Sequence, residues 1–296
     1  MHSKLAMNDQ KSCGVVYLAF GATYLVMALL GVKSLRATNP DLNACIVTNV
    51  PHVPPEIFDF WREGDTWLFV EDSTKNNRLY KTSIIDYSPY EKTFFLDCDT
   101  IVNGSLDEGF VMLDYFDVAM RLKCEGKVGL GKKHSQDVLR GRLKVRDVPH
   151  WNSGALFFKK SEGSALFFDN WSREYNERAF KSDQVSLVDV VFMTDCRVLG
   201  LDMRWNSGFG SVLAGDLGAK VVHYHDKLDA VIEAHFMDIA SKLSATCSED
   251  IVRETRAYTR KHKWKKRGFM SGLRYYVGRV YRRYWHSRYG PFSAAS

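Results

Sequence analysis

The stretch Thr93-Phe94-Phe95-Leu96-Asp97-Cys98-Asp99-Thr100-Ile101-Val102 decides how this chain is read. Thr93 to Leu96 is a β-branched and aromatic run, the signature of a buried strand. It ends on two carboxylates one residue apart, which are costly beside an apolar strand unless something compensates them. In an extended backbone, alternation points Asp97 and Asp99 to one side, where both can bind a hard divalent cation. Ligands of open α/β sheets sit just beyond the carboxyl ends of the strands. The alternative is an ordinary acidic turn, so the flanking sequence has to decide.

Working outward, the residues before this stretch alternate strand and helix signals. Cys13 to Val32 carries no charge and is long enough to span a bilayer. Gly21 interrupts it, however, and the favoured reading is strand Gly14–Phe20, turn Gly21–Thr23 and helix Tyr24–Leu35, with Leu25, Ala28, Leu29 and Val32 on one face. Ala44–Asn49 reads as a second strand, ended by Pro51, Pro54 and Pro55, and Trp67–Val70 as a third. Leu79–Tyr87 reads as a helix leading into the Asp97 strand. Downstream, Gly129-Leu130-Gly131 lies in a Gly- and Lys-rich surface loop, Ala155–Phe158 is a strand, and Ser164–Arg178 is a helix. Ser182 or Asp183 caps a further helix. Val198–Asn206 holds a strand and an aromatic turn, and Ala219–Asp226 is a strand whose exit carries His223 and His225. The pattern predicts an α/β fold with a mostly parallel sheet.

With 45% hydrophobic and 26% charged residues among 296, the composition is that of a globular domain and excludes a disordered chain. Cysteines 13, 45, 98, 124, 196 and 247 show no C-x-x-C spacing, which argues against a disulfide framework or zinc knuckle and fits a reducing compartment. The net charge of +6 conceals an asymmetry. Twelve of the 41 Lys/Arg lie from Thr255 onward, without any Asp or Glu, so residues 1–254 carry −6. This divides the chain into a body, 1–254, and a basic tail, 255–296. In the tail Phe269, Leu273, Tyr276, Val277, Val280, Tyr281, Tyr284 and Trp285 recur at helical spacing, with Arg274, Arg279, Arg282 and Arg283 mainly on other faces. Such a basic amphipathic helix suits an anionic membrane surface. Docking on the chain's own body ranks second and nucleic acid third.

Six short motifs, in order over roughly residues 14 to 227, make the sequence resemble the GT-A fold glycosyltransferases of the glycogenin and bacterial lipopolysaccharide galactosyl- and glucosyltransferase type, glycosyltransferase family 8. They are Leu18, Ala19 and Tyr24 at the first strand; Lys81 upstream of the D-x-D; Asp97-Cys98-Asp99 itself; Asn152-Ser153-Gly154; Asp183-Gln184; and Val221-Val222-His223. The resemblance implies a Rossmann-like central sheet flanked by helices. It also implies a retaining transfer from a nucleotide-sugar donor, UDP-linked by analogy, to a glycan or lipid-linked acceptor.

The resemblance implies roles for these residues. Asp97, Asp99 and His223 would ligate Mn²⁺ or Mg²⁺, carboxylate with imidazole suiting Mn²⁺; His225 is the rival ligand. Leu18, Ala19, Tyr24, Lys81, Asp97, Cys98, Asn152 and Ser153 would line the donor site, with Tyr24 stacking on the base. Asp183 and Gln184 would lie beneath the sugar as catalytic residues, Asp183 either as nucleophile or as a ligand of sugar hydroxyls. Lys227 would contact the diphosphate, although Tyr224-His225-Asp226-Lys227 lacks the family's glycine. The expected location is cytoplasmic, peripheral on the inner face of a membrane. The rivals are a sugar-phosphate nucleotidyltransferase, which would show a Gly-rich basic loop after the first strand where Leu18–Tyr24 has none, and a non-enzymatic adaptor, which would not need Asp97, Asp99 and His223 together.

Overall fold

The computed structural model describes residues 12–51, 57–71, 77–122, 137–138, 142–144, 149–178, 182–208, 218–224, 230–246 and 250–262. The Gly129–Gly131 loop, His225, Lys227 and the Phe269–Trp285 stripe lie outside them. β1 (Cys13–Ala19) leads into α1 (Ala22–Thr38), followed by β2 (Asn43–Thr48), β3 (Thr66–Phe69) and α2 (Asn77–Thr82). Then come β4 (Lys92–Leu96), β5 (Thr100–Val102), α3 (Asp107–Met112) and β6 (Val118–Leu122). A small hairpin, β7 (Asp137–Val138) and β8 (Leu143–Lys144), precedes β9 (Trp151–Lys159), α4 (Glu162–Glu177) and α5 (Asp183–Met193). The chain continues through β10 (Val198–Leu201), β11 (Ser207–Gly208), β12 (Val221–His223), α6 (Ala230–Thr246) and α7 (Asp250–His262).

Seven strands form the central sheet in the order β10-β6-β9-β4-β1-β2-β3. Its neighbours are parallel except β9, which runs antiparallel between β4 and β6. The sheet is buried on both faces, so its strands read as continuous apolar runs. Alternation along β1 shows the two layers. Val15, Tyr17 and Ala19 join the core with Leu25, Leu29, Phe236 and Ile251, from α1, α6 and α7. Val16, Leu18 and Phe20 join the core with Phe167, Trp171 and Leu187, from α4 and α5.

The Cys13–Val32 stretch is thus an interior strand of the sheet and most of the helix after it, and among the described residues no helix is long and apolar enough to cross a membrane. Three local readings are corrected. The Leu79–Tyr87 helix is broken at Ser83: α2 ends at Thr82 and a separate 3₁₀ turn covers Ile84–Tyr87. The last strand is short, Val221–His223, and leaves the main sheet to pair with β5 and β11. Asn152-Ser153-Gly154 stands inside β9 rather than before it. At the other end of the body, α7 runs straight across the 254/255 boundary; Thr255 and Thr259 are buried and Tyr258 packs on the core.

Candidate active site

β4 ends at Leu96, and Asp97 to Asp99 form a turn rather than an extended strand. The two carboxylates converge through this turn, not through strand alternation as the sequence suggests. The turn is tied from several sides. The Asp97 amide donates to the Gly154 carbonyl at 2.9 Å and Thr100 Oγ1 to the Asp97 carbonyl at 2.7 Å. The Tyr224 amide donates to the Asp99 carbonyl at 3.0 Å. Cys98 points inward and donates its thiol to the Leu18 carbonyl at 3.0 Å, joining the turn to β1. Burial, with Asp97 and Asp99 on either side, pushes that thiol well above its usual range, so it stays protonated.

β12 pairs antiparallel with β5, His223 facing Thr100 across the ladder. That register brings His223 Nε2 to 2.7 Å from Asp99 Oδ1. Ligand atoms of Asp97, Asp99 and His223 all lie within 4.8 Å of one another. Gly154 makes room for them: a Cβ there would stand 2.6 Å from Asp97 Oδ2 and 2.9 Å from His223 Cε1. Two carboxylates and an imidazole converging on a space that a methyl group would invade fit a divalent cation.

A second charged cluster adjoins the first. Lys81 is buried at the end of α2, its Nζ 2.7 Å from Asp97 Oδ1 and 3.5 Å from Asp183 Oδ2. Burial alone would discharge this lysine, but the two carboxylates outweigh it and hold its ammonium above the usual range. Asp183 opens α5, with Ser182 as N-cap accepting from the Gln184 amide at 3.3 Å. Ser153 Oγ donates to Asp183 Oδ2 at 2.6 Å, and Arg78 Nε stands 3.8 Å from Oδ1. Burial pushes the Asp183 carboxyl up; Lys81, the Ser153 hydroxyl and Arg78 overcome that and keep it below the usual carboxylate range.

The β6–β9 register shifts here: Met120 pairs with Leu156 but Arg121 with Asn152. Bulges of this kind re-aim side chains beside functional sites. Ser153 is fully buried against Asp183, and Asn152 Oδ1 accepts from the Gly154 amide at 2.8 Å and from Asn206 Nδ2 at 3.0 Å. Tyr24 is 46% exposed in the first turn of α1, while Leu18 and Ala19 are buried in β1. Gln184 is half-buried beside Asp183.

Sequence reasoning missed Asn206, Arg78 and Arg121. Asn206 ends the 3₁₀ turn Met203–Asn206, anchored by Trp205 packed edge-on to Phe157 at 5.1 Å. A polar residue directly after the turn's tryptophan was the available signal. Arg121 Nη1 donates to the Asn206 carbonyl at 2.7 Å.

This architecture is the GT-A glycosyltransferase fold, and the chain resembles glycosyltransferases in three dimensions. The glycosyltransferase GlyE of Streptococcus pneumoniae TIGR4 is 18% identical, with a TM-score of 0.51 over 84% of this chain and 65% of that one. Its apo form is 19% identical, with a TM-score of 0.53 over 84% and 64%. The apo structure of the bifunctional glycosyltransferase WbbM is 18% identical, with a TM-score of 0.52 over 83% of this chain and 52% of that one. The chain therefore spans less than two thirds of these proteins' lengths, and at such identities the likeness is one of fold. No protein-family model matches the chain, and no curated protein matches it in sequence.

Proposed function

We propose that the protein is a metal-dependent, retaining glycosyltransferase that moves a sugar from a nucleotide-sugar donor, UDP-linked, to a glycan or lipid-linked acceptor. The observation that carries this reading is the convergence of Asp97, Asp99 and His223 within 4.8 Å, beside Lys81 and Asp183, at the end of β4. When bound there, Mn²⁺ or Mg²⁺ supplies Lewis-acid neutralisation of the departing diphosphate.

The protein's own groups do the rest. Three carboxylates, Asp97, Asp99 and Asp183, face two cations, Lys81 and Arg78. That excess of negative charge repels a bare diphosphate and welcomes one only together with a divalent cation. Tyr24, exposed on α1, offers its ring to the base. Asp183, neutralised by Lys81 and pinned by Ser153, orients the sugar's hydroxyls; a carboxylate so engaged is a poor nucleophile. By the resemblance, Gln184 would lie near the reactive face, and the leaving diphosphate would take the acceptor's proton. Asn152 and Ser153 act through His223 and Asp183. Lys227 remains a candidate diphosphate contact. The basic tail would hold the enzyme at the cytoplasmic face of an anionic membrane.

The test is a screen of nucleotide-sugar hydrolysis and transfer with Mn²⁺, read by NMR of the first product. Wild-type activity that disappears in EDTA and in Asp99→Asn, with the donor's anomeric configuration kept, is the expected result. An active Asp99→Asn variant would remove the metal site, and an inverted product would remove the retaining assignment.

A further inference from the structure

We infer that Asn152 and Asn206 are positioning residues that fix the tautomer of His223, so that its Nε2 lone pair is presented to the cation. The inference rests on the metal site proposed above and concerns how this chain builds it. It starts from the Gly154 backbone amide, which can only donate. Its acceptor at 2.8 Å is therefore an oxygen, Asn152 Oδ1. The same oxygen lies 3.0 Å from the Asn206 side-chain amide, which must present Nδ2 to it as a second donor. Asn206 then has its Oδ1 on the opposite side, 3.1 Å from His223 Nδ1. An acceptor at that position requires Nδ1 to carry a proton; Nε2, 2.7 Å from the acceptor oxygen Asp99 Oδ1, is then the nitrogen that would share a cation with that carboxylate. Reversing any one of these groups sets oxygen against oxygen, or two donors against each other, at Gly154, Asn152, Asn206 or His223.

Burial gives this directionality its force. Asn206 is fully buried, and His223 and Asn152 are 4% and 6% exposed. A buried polar group left with the wrong partner costs the desolvation of that group, because water cannot replace the lost bond. Arg121 on the Asn206 carbonyl and Trp205 in the core hold the middle of the relay in place. Ligating histidines are commonly oriented in this way through their second nitrogen, and losing such a partner typically costs about 10–100-fold in metal affinity.

The experiment uses the full chain, Mn²⁺ titrated by the electron paramagnetic resonance of the free ion, and Zn²⁺ as a diamagnetic probe for ¹⁵N-histidine NMR. In the Zn²⁺-loaded wild type the His223 proton is expected on Nδ1 and the metal on Nε2. Asn152→Leu and Asn206→Leu should bind Mn²⁺ about 10–100-fold more weakly. Asn152→Asp keeps an acceptor-only oxygen facing both donors and should keep affinity and tautomer, whereas a purely space-filling role would not distinguish Asp from Leu. A proton on Nε2 in the wild type, or wild-type affinity in both folded Leu variants, overturns the relay and leaves the metal site standing. If the Leu variants do not fold, the wild-type spectrum alone decides. A wild-type protein that takes up neither ion removes the metal site and the relay together.

Discussion

Ser153 and Asp183, thirty residues apart in sequence, are joined by a hydrogen bond of 2.6 Å from the serine hydroxyl to Oδ2 of the carboxylate. Because Ser153 is fully buried in β9 and Asp183 begins α5, this bond fastens a helix N-terminus to the central sheet beside the site. Lys81 approaches the same oxygen at 3.5 Å. A buried hydrogen bond to a charged group contributes roughly 1.5–3 kcal/mol. Ser153→Ala should therefore lower unfolding stability by about that amount at neutral pH, measured by equilibrium urea denaturation. A variant as stable as the wild type would mean that the hydroxyl does not pin Asp183.

Gly154 and Gly208 make a matched pair for testing the ligand space. A Cβ on residue 154 would stand 2.6 Å from Asp97 Oδ2, whereas one on residue 208 meets nothing within 4 Å. Gly154→Ala should displace Asp97 and His223, weaken Mn²⁺ binding by at least about tenfold, and destabilise the fold by roughly 1–3 kcal/mol. Gly208→Ala should leave Mn²⁺ affinity near wild type. Equal affinities for the two variants, by isothermal titration calorimetry, would place the cation elsewhere.

The parts of the molecule legible in the sequence are those encoded locally. The apolar runs of β1, β2 and β4 gave the parallel half of the sheet, and the Ser182-Asp183 cap gave the start of α5. The site itself is assembled from contacts remote in sequence. Asn206 reaches His223 over 17 residues, Asn152 over 54 and Arg121 over 85. No periodicity or capping rule carries such pairings. They depend on β12 leaving the main sheet for β5, and on the register shift between β6 and β9 at Met120/Arg121. Asp97 and Asp99 are brought together by something other than strand alternation: the backbone there turns, and the turn's bonds to Gly154, Leu18 and Tyr224 hold it.

Asp117, just before β6, ties the opposite end of the sheet through a carboxylate that accepts from the Arg197 amide at 3.1 Å, the Arg197 guanidinium at 3.2 Å and Ser161 Oγ at 3.1 Å. Burial raises its proton affinity, but Arg197 and Ser161 outweigh burial and hold the carboxyl below its usual range. The unfolded chain therefore binds this proton more readily than the folded one. The contribution is fully present above the unfolded value, about pH 4, and is lost as pH falls through the lower folded value. Urea midpoints should fall for the wild type below about pH 4. Asp117→Asn should start less stable at neutral pH and fall less steeply. Parallel pH profiles for the two proteins would assign the acid sensitivity to other carboxylates.

The boundary between body and tail is the last feature to test, and the position of the cut decides what is learned. Ile251 and Thr255 of α7 are buried, Thr259 is 3% exposed, and Tyr258 packs on the same core as α1 and α6. A truncation before Tyr258 cuts α7 short and removes the partly buried Tyr258 ring and the buried Thr259, so it should lose stability and confound any binding result. A truncation after His262 keeps α7 whole and removes nine of the twelve basic residues that follow Glu254, together with the Phe269–Trp285 stripe. Each basic residue near an anionic surface contributes about 1 kcal/mol, screened by salt. The protein ending at His262 should unfold at the wild-type urea midpoint and hydrolyse a soluble nucleotide sugar at the wild-type rate. It should also lose sedimentation with phosphatidylserine vesicles, which the intact chain should lose only in high salt. Undiminished sedimentation of the protein ending at His262 would move the membrane contact into the body, where Arg253, Arg256 and Arg260 line an open cleft with Ser244 and Val252. A drop in its urea midpoint would instead make the residues after 262 part of the folded domain.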